Sequence, residues 1–184
     1  NRILYGEDFV VGIVYLGAIF AEKYKFIKRM GMLAVFWAAL VHMGTGAIFG
    51  FIATRPIFYS PIKPFEFLAA AMVSGLALLM IIVVLTFKFV KRNFDRDVIF
   101  SLSKLLLILI IALAVMVLID KLTHRYPPDR EATIWLFTGP VSWIFWGLQV
   151  GCAYVLPIIL LAHPRLGKDM KWVMAAAVLV VVGI

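Results

Sequence analysis

Phe67-Leu-Ala-Ala-Ala-Met-Val-Ser-Gly-Leu-Ala-Leu-Leu-Met-Ile-Ile-Val-Val-Leu-Thr-Phe87 runs for 21 residues without a charge and stops against Lys88, Lys91 and Arg92. A helix needs about 20 such residues to cross a hydrocarbon core of ~30 Å, whereas core strands are far shorter and surface helices show a polar face. The composition points the same way, with 64% hydrophobic and 15% charged residues and a mean hydropathy of +1.04. A soluble domain has about 45–50% and about 25% respectively. The expected fold class is all-α, a polytopic transmembrane helix bundle, with lipid as the solvent of its surface.

Working outward, about six helices are expected. The first runs from Asp8 to Lys23, the second from Met30 to Thr54, and the third starts near Phe65. Between the second and third lies Arg55-Pro56-Ile57-Phe58-Tyr59-Ser60-Pro61-Ile62-Lys63-Pro64, whose three prolines cannot continue a helix. The fourth covers Val98 to Ile119, interrupted only by Lys104, and a polar loop follows from Asp120 to Glu131. The fifth lies within Ala132–Ala162, with Gly139-Pro140 starting its regular part and Thr133–Phe137 as an interfacial lead-in. The sixth begins after Arg165, Lys168 and Lys171. The chain starts at Asn1 and stops at Val-Val-Gly-Ile184 inside an apolar run, so a single transmembrane domain over 1–184, continuing beyond both ends, is expected.

Charge orients this array. The net charge of +8 sits at the ends of apolar blocks, which makes it membrane-flanking charge and sets nucleic-acid binding aside. Loops 22–30, 88–97 and 163–171 hold eleven Lys and Arg, against five in the two loops between them. By the positive-inside rule the first three are cytoplasmic, in the inner membrane of a prokaryote, and the Arg55 and His124 loops face outward. The one cysteine, Cys152, and the three scattered histidines support neither a disulfide framework nor a metal site nor a Cys-ligated cluster. Small-residue pairs Gly46-xxx-Gly50, Ala70-xxx-Ser74 and Gly147-xxx-Gly151 predict close helix packing.

Polar groups at membrane depth cost about 2–3 kcal/mol each, so they are the candidate functional residues. His42 sits near the middle of the second helix with Thr45 on the same face. It suits a hydrogen bond to a ligand such as a quinone, a proton carrier, or a neutral ring bonded to a backbone carbonyl. Haem ligation would need a second histidine at that depth, which His124 and His163 do not supply. Lys104 is one station of a proton path or a snorkelling cation, and Asp120 is either a station of that path or a solvated charge. Glu66, in the first turn of the third helix, is placed to pair with Arg55. Glu7 and Asp8 precede only 13 apolar residues, Phe9–Ala21, so either the first helix starts earlier or the bilayer adapts.

The run His42-Met-Gly-Thr45-Gly46, then Arg55-Pro56 with aromatic Phe58 and Tyr59, then Ser74-Gly75, resembles the membrane-subunit family of polysulfide reductase, the NrfD/PsrC-like proteins. The likeness covers about 35 residues and departs at Ile57, where many members carry Trp. It implies a haem-free subunit of eight or ten helices, not catalytic alone. Such a subunit passes electrons between menaquinone or another quinone and a ferredoxin-like iron–sulfur subunit docked outside, within a larger respiratory complex. It implies no haem or cluster ligated by this chain. The residues themselves are compatible with it: His42, Thr45 and Ser74 are candidate donors to a quinone headgroup, Arg55 and Glu66 lie nearer the outer surface to complete the quinone-binding set, and Lys104 and Asp120 are the proton-path candidates. A secondary transporter and a haem b cytochrome subunit are the competing classes.

Overall fold

A computed structural model describes residues 2–20, 24–52, 59–90, 96–125 and 130–184. The helices are α1 (Arg2–Phe20), α2 (Tyr24–Gly50), α3 (Lys63–Val90), α4 (Arg96–Thr123), α5 (Arg130–Thr138), α6 (Leu156–Ala162) and α7 (Met170–Gly183). A π-helical segment, Ile144–Val155, leads directly into α6. Pro157 explains that wider winding: it has no N–H to give the preceding turn, and its ring crowds the carbonyl one turn back. Among the described residues, four stretches are long and apolar enough to cross a membrane: Phe26–Gly50, Lys63–Val90, Arg96–Thr123 and Ile144–Ala162. No strand occurs among the described residues.

The chain divides into two compact units, Asn1–Leu68 and Ala69–Ile184. In the first, α1 packs on α2, and Gly31 leaves room for the ring of Tyr15. Because α1 begins at Arg2, Glu7 and Asp8 lie inside it, which decides the alternative left open by the short apolar run. In the second unit the core joins Val73, Ala77 and Met80 of α3 to Ile99, Leu106, Ile110 and Leu113 of α4. Ala153 and Tyr154 of the π segment and Val173, Ala177 and Val180 of α7 complete it. The spacing along α4 alternates three and four residues, the seam of helices packed at a shallow angle.

Of the small-residue pairs, Gly46 and Gly50 sit against other backbone, whereas nothing lies within 4 Å of where a Cβ on Gly147 would be. The close approach in the second unit is made by Gly183 instead, against Leu148 and Ala153.

Candidate functional site

The turn into α3 builds the first unit's polar centre. The Gly50 carbonyl accepts from Ser60 N at 3.0 Å, and the Ser60 carbonyl accepts from Lys63 N at 3.2 Å. The Ile62 carbonyl takes the first helical bond, from Glu66 N at 3.0 Å, so Pro64 falls in the first turn, where a missing N–H costs nothing. This turn can rest on α2 only because Gly46 and Gly50 have no side chains. A Cβ on Gly46 would lie 2.7 Å from both the Lys63 carbonyl oxygen and Pro64 Cα, and one on Gly50 would lie 2.6 Å from the Ser60 carbonyl oxygen. Phe49 stacks on Phe67 beside the contact, with ring centroids 5.5 Å apart.

In that first turn Lys63 Nζ meets Glu66 Oε2 at 2.6 Å, and both residues are buried. Glu66 Oε1 is equally buried and has no hydrogen-bond partner among the described residues. Lys63 is the residue that sequence reasoning missed. It expected Glu66 to pair with Arg55, which lies outside the described residues, while the i,i+3 spacing of Lys63 and Glu66 was the available signal.

His42 is one helical turn before Gly46 on α2, and exposed. Its Nδ1 lies 2.7 Å from the Ala38 carbonyl oxygen. A carbonyl only accepts, so Nδ1 carries the hydrogen, and Nε2 of the neutral ring is the acceptor. Thr45 likewise donates its hydroxyl hydrogen to the Val41 carbonyl at 2.9 Å. Ser74, in the second unit, gives its own to the Ala70 carbonyl at 2.8 Å. These groups read from the sequence as donors toward a ligand, but their hydrogens go to carbonyls of their own helix. That is the cheapest way to satisfy a hydroxyl where no water competes.

The proton-path candidates sit in the second unit. Lys104 is exposed, and Asp120 is 1% exposed. Sixteen residues at ~100° each place the two about 160° apart around α4, so they do not share a face. The solvated-charge expectation for Asp120 is corrected. Its Oδ2 is 3.1 Å from Lys121 Nζ, and buried His124 bonds the Asp120 carbonyl through Nδ1 at 2.7 Å. The cover comes from α5, where buried Thr133 donates to the His124 carbonyl at 2.9 Å. Thr133→Val keeps the shape and removes this bond. It is expected to cost about 1 kcal/mol, read as faster amide hydrogen exchange in α5 than in α4.

Comparison with known proteins supplies a context for this geometry. The family described as polysulphide reductase, NrfD, matches residues 5–184. The chain is 36% identical over 182 residues to the Hdr-like menaquinol oxidoreductase integral membrane subunit of Archaeoglobus fulgidus, covering 97% of this chain and 46% of that protein. It is 30% identical over 164 residues to a selenate reductase subunit of Mesobacillus selenatarsenatis, covering 88% and 37%. It is 29% identical over 161 residues to a putative dimethyl sulfoxide reductase membrane subunit of Halobacterium salinarum, covering 81% and 37%. The chain thus spans less than half the length of these relatives. No solved structure matches it significantly.

Proposed function

Because the chain belongs to the NrfD polysulphide reductase family of integral membrane subunits, we propose that it serves a respiratory redox complex by exchanging electrons and protons with a membrane quinone, menaquinone foremost. The observation that carries this reading is the buried carboxylate Glu66. One oxygen is held by Lys63 at 2.6 Å, and the other has no partner among the described residues, in the turn that rests on α2 at Gly46, four residues on from His42. A carboxylate oxygen buried without a donor costs more than about 1–3 kcal/mol, and a site that binds a polar headgroup accounts for keeping it. His42 and Glu66 bind that headgroup, with Thr45, Arg55 and Ser74 as further members of the set. Exposed apolar side chains of α2, including Phe36, Leu40 and Ile48, offer the isoprenoid tail a surface continuous with lipid.

Electrons pass to a ferredoxin-like iron–sulfur subunit docked on the outer face, the side on which loop charge places the α2–α3 turn. The membrane is the cytoplasmic membrane of a prokaryote. Lys104 toward the cytoplasm and Asp120 toward the outside are the groups through which protons would cross. The relatives' names, which include a menaquinol oxidoreductase and two reductases, support a redox role over transport alone.

The test is binding of a quinol analogue to the complex in lipid nanodiscs, followed by fluorescence quenching. His42→Ala and Arg55→Ala are each expected to weaken binding about tenfold, the loss of one good hydrogen bond to a desolvated partner. Unchanged affinity in both variants removes them from the site. Stoichiometric haem in a reduced-minus-oxidised spectrum would replace the reading with a haem b subunit.

A further inference from the structure

Which ring nitrogen carries the hydrogen decides what protonation does to the bonds of a histidine. Where Nδ1 donates, it keeps its hydrogen in the charged ring and the bond survives. Where Nδ1 accepts, protonation removes the lone pair and the bond is lost. His42 and His124 are of the first kind, each with Nδ1 2.7 Å from a carbonyl oxygen one turn back on its own helix. His163 is of the second kind.

His163 joins α6 to the turn before α7. Its N–H closes α6 on the Ile159 carbonyl at 3.1 Å, and its carbonyl accepts from Gly167 N at 2.9 Å. Its ring Nδ1 accepts from the backbone N–H of Arg165 at 3.2 Å and from that of Leu166 at 3.3 Å. These are the orphan amides at the start of the 3-10 turn Leu166–Lys168, and Pro164 before them has no N–H to satisfy. Serine, threonine, aspartate or asparagine usually serves such amides, with an oxygen. An imidazole nitrogen serves them only while the ring is neutral. The 3-10 turn packs on α4, α6 and α7. No ionisable group lies on α6, whereas Arg96 and Asp97 stand at the start of α4 and Asp169 and Lys171 at the start of α7. The turn itself carries Arg165 and Lys168, and all six are exposed. Asp169 is engaged as the cap of α7, accepting from Lys171 N at 3.0 Å.

We propose that His163 is a pH-sensitive cap: the neutral ring holds the α6–α7 turn closed, and protonation at Nδ1 releases it. The ring is exposed, so its proton comes from the aqueous phase that the turn faces. Imidazole changes charge between about pH 5 and 8, so the cap is present at the upper end of that window and is lost as pH falls through it. Just beyond the turn, α7 enters the core of the second unit through Val173. Release therefore loosens the entry of α7, while the Nδ1 bonds of His42 and His124 persist in the charged ring.

The experiment is amide hydrogen exchange read by mass spectrometry over residues 163–171, on the native complex in nanodiscs. It is run at about pH 7.5 and about pH 5.5, with each rate corrected for intrinsic exchange at that pH. Protection in wild type is expected to fall about fivefold at the lower pH, the order of a lost helix cap. His163→Asn supplies an acceptor that does not titrate and is expected to hold its protection within about twofold across the same change. His163→Ala is expected to show at the higher pH the low protection that wild type shows at the lower. Wild-type protection that is the same at both values would overturn the proposal. So would an equal fall in His163→Asn, which would assign the response to other groups, or full protection in His163→Ala, which would mean that the ring caps nothing.

Discussion

Gly46→Ala is expected to unfold the α2–α3 turn, although on helix propensity alone it should help. Alanine in place of a mid-helix glycine stabilises by about 1 kcal/mol because the unfolded chain has less freedom to lose. At Gly46 the added Cβ would stand 2.7 Å from the Lys63 carbonyl oxygen, 2.7 Å from Pro64 Cα and 2.9 Å from Phe67 Cβ. Two of those atoms are backbone, in a turn held by the Ser60–Gly50 and Lys63–Ser60 bonds, so no rotamer change relieves the clash. Overpacking of this kind costs typically about 1–3 kcal/mol, and the rigid neighbours put Gly46 at the upper end. The net loss is therefore about 2 kcal/mol, against a gain of up to about 1 kcal/mol for Gly75→Ala, where nothing lies within 4 Å of the new Cβ. Thermal unfolding of both variants in the same detergent gives the sign directly. Equal melting temperatures would mean that α2 and the turn are not in close contact.

The contrast between those two glycines shows what was readable from the chain alone. The 21-residue uncharged run and its basic flank dictate a spanning helix whatever surrounds it, because lipid leaves backbone groups no other partner. Which small-residue pair is used depends on what comes near it, and spacing carries no record of that. Gly46-xxx-Gly50 is pressed against backbone, whereas Gly147 meets open space and Gly183 makes the contact in the second unit. Asp120 teaches the same point for charge. At the end of an apolar run it reads as solvated, and it is buried because Thr133, 13 residues on, ties α5 over His124. His42 was legible as a polar group in an expensive place. Its hydrogen-bond polarity was not, since that follows from the 2.7 Å contact with Ala38.

The largest effects are expected in a double-mutant cycle on Lys63 and Glu66. Local rules make the lysine a liability: a cation in the first turn opposes the helix dipole by about 0.3–1 kcal/mol, so Lys63→Met should stabilise slightly. Burial reverses that sign. Lys63 is 6% and Glu66 7% exposed, with 2.6 Å between the charges, so removing the ammonium leaves a buried carboxylate without that counter-charge. Breaking a buried pair from one side costs about 3–5 kcal/mol, and Glu66→Gln, which removes the carboxylate charge from beside the ammonium, should cost a similar amount. Removing both charges removes the desolvation of both, so Lys63→Met combined with Glu66→Gln should lie within about 1 kcal/mol of wild type. Each single variant is then expected to lose a large share of its folded yield, and the double variant to recover it. An exposed pair would give singles costing under about 1 kcal/mol and an additive double, and that outcome would rule out the buried pair. If the cycle closes as expected, stability alone would be served as well by two uncharged residues. The binding role proposed above for Glu66 would then account for keeping the carboxylate.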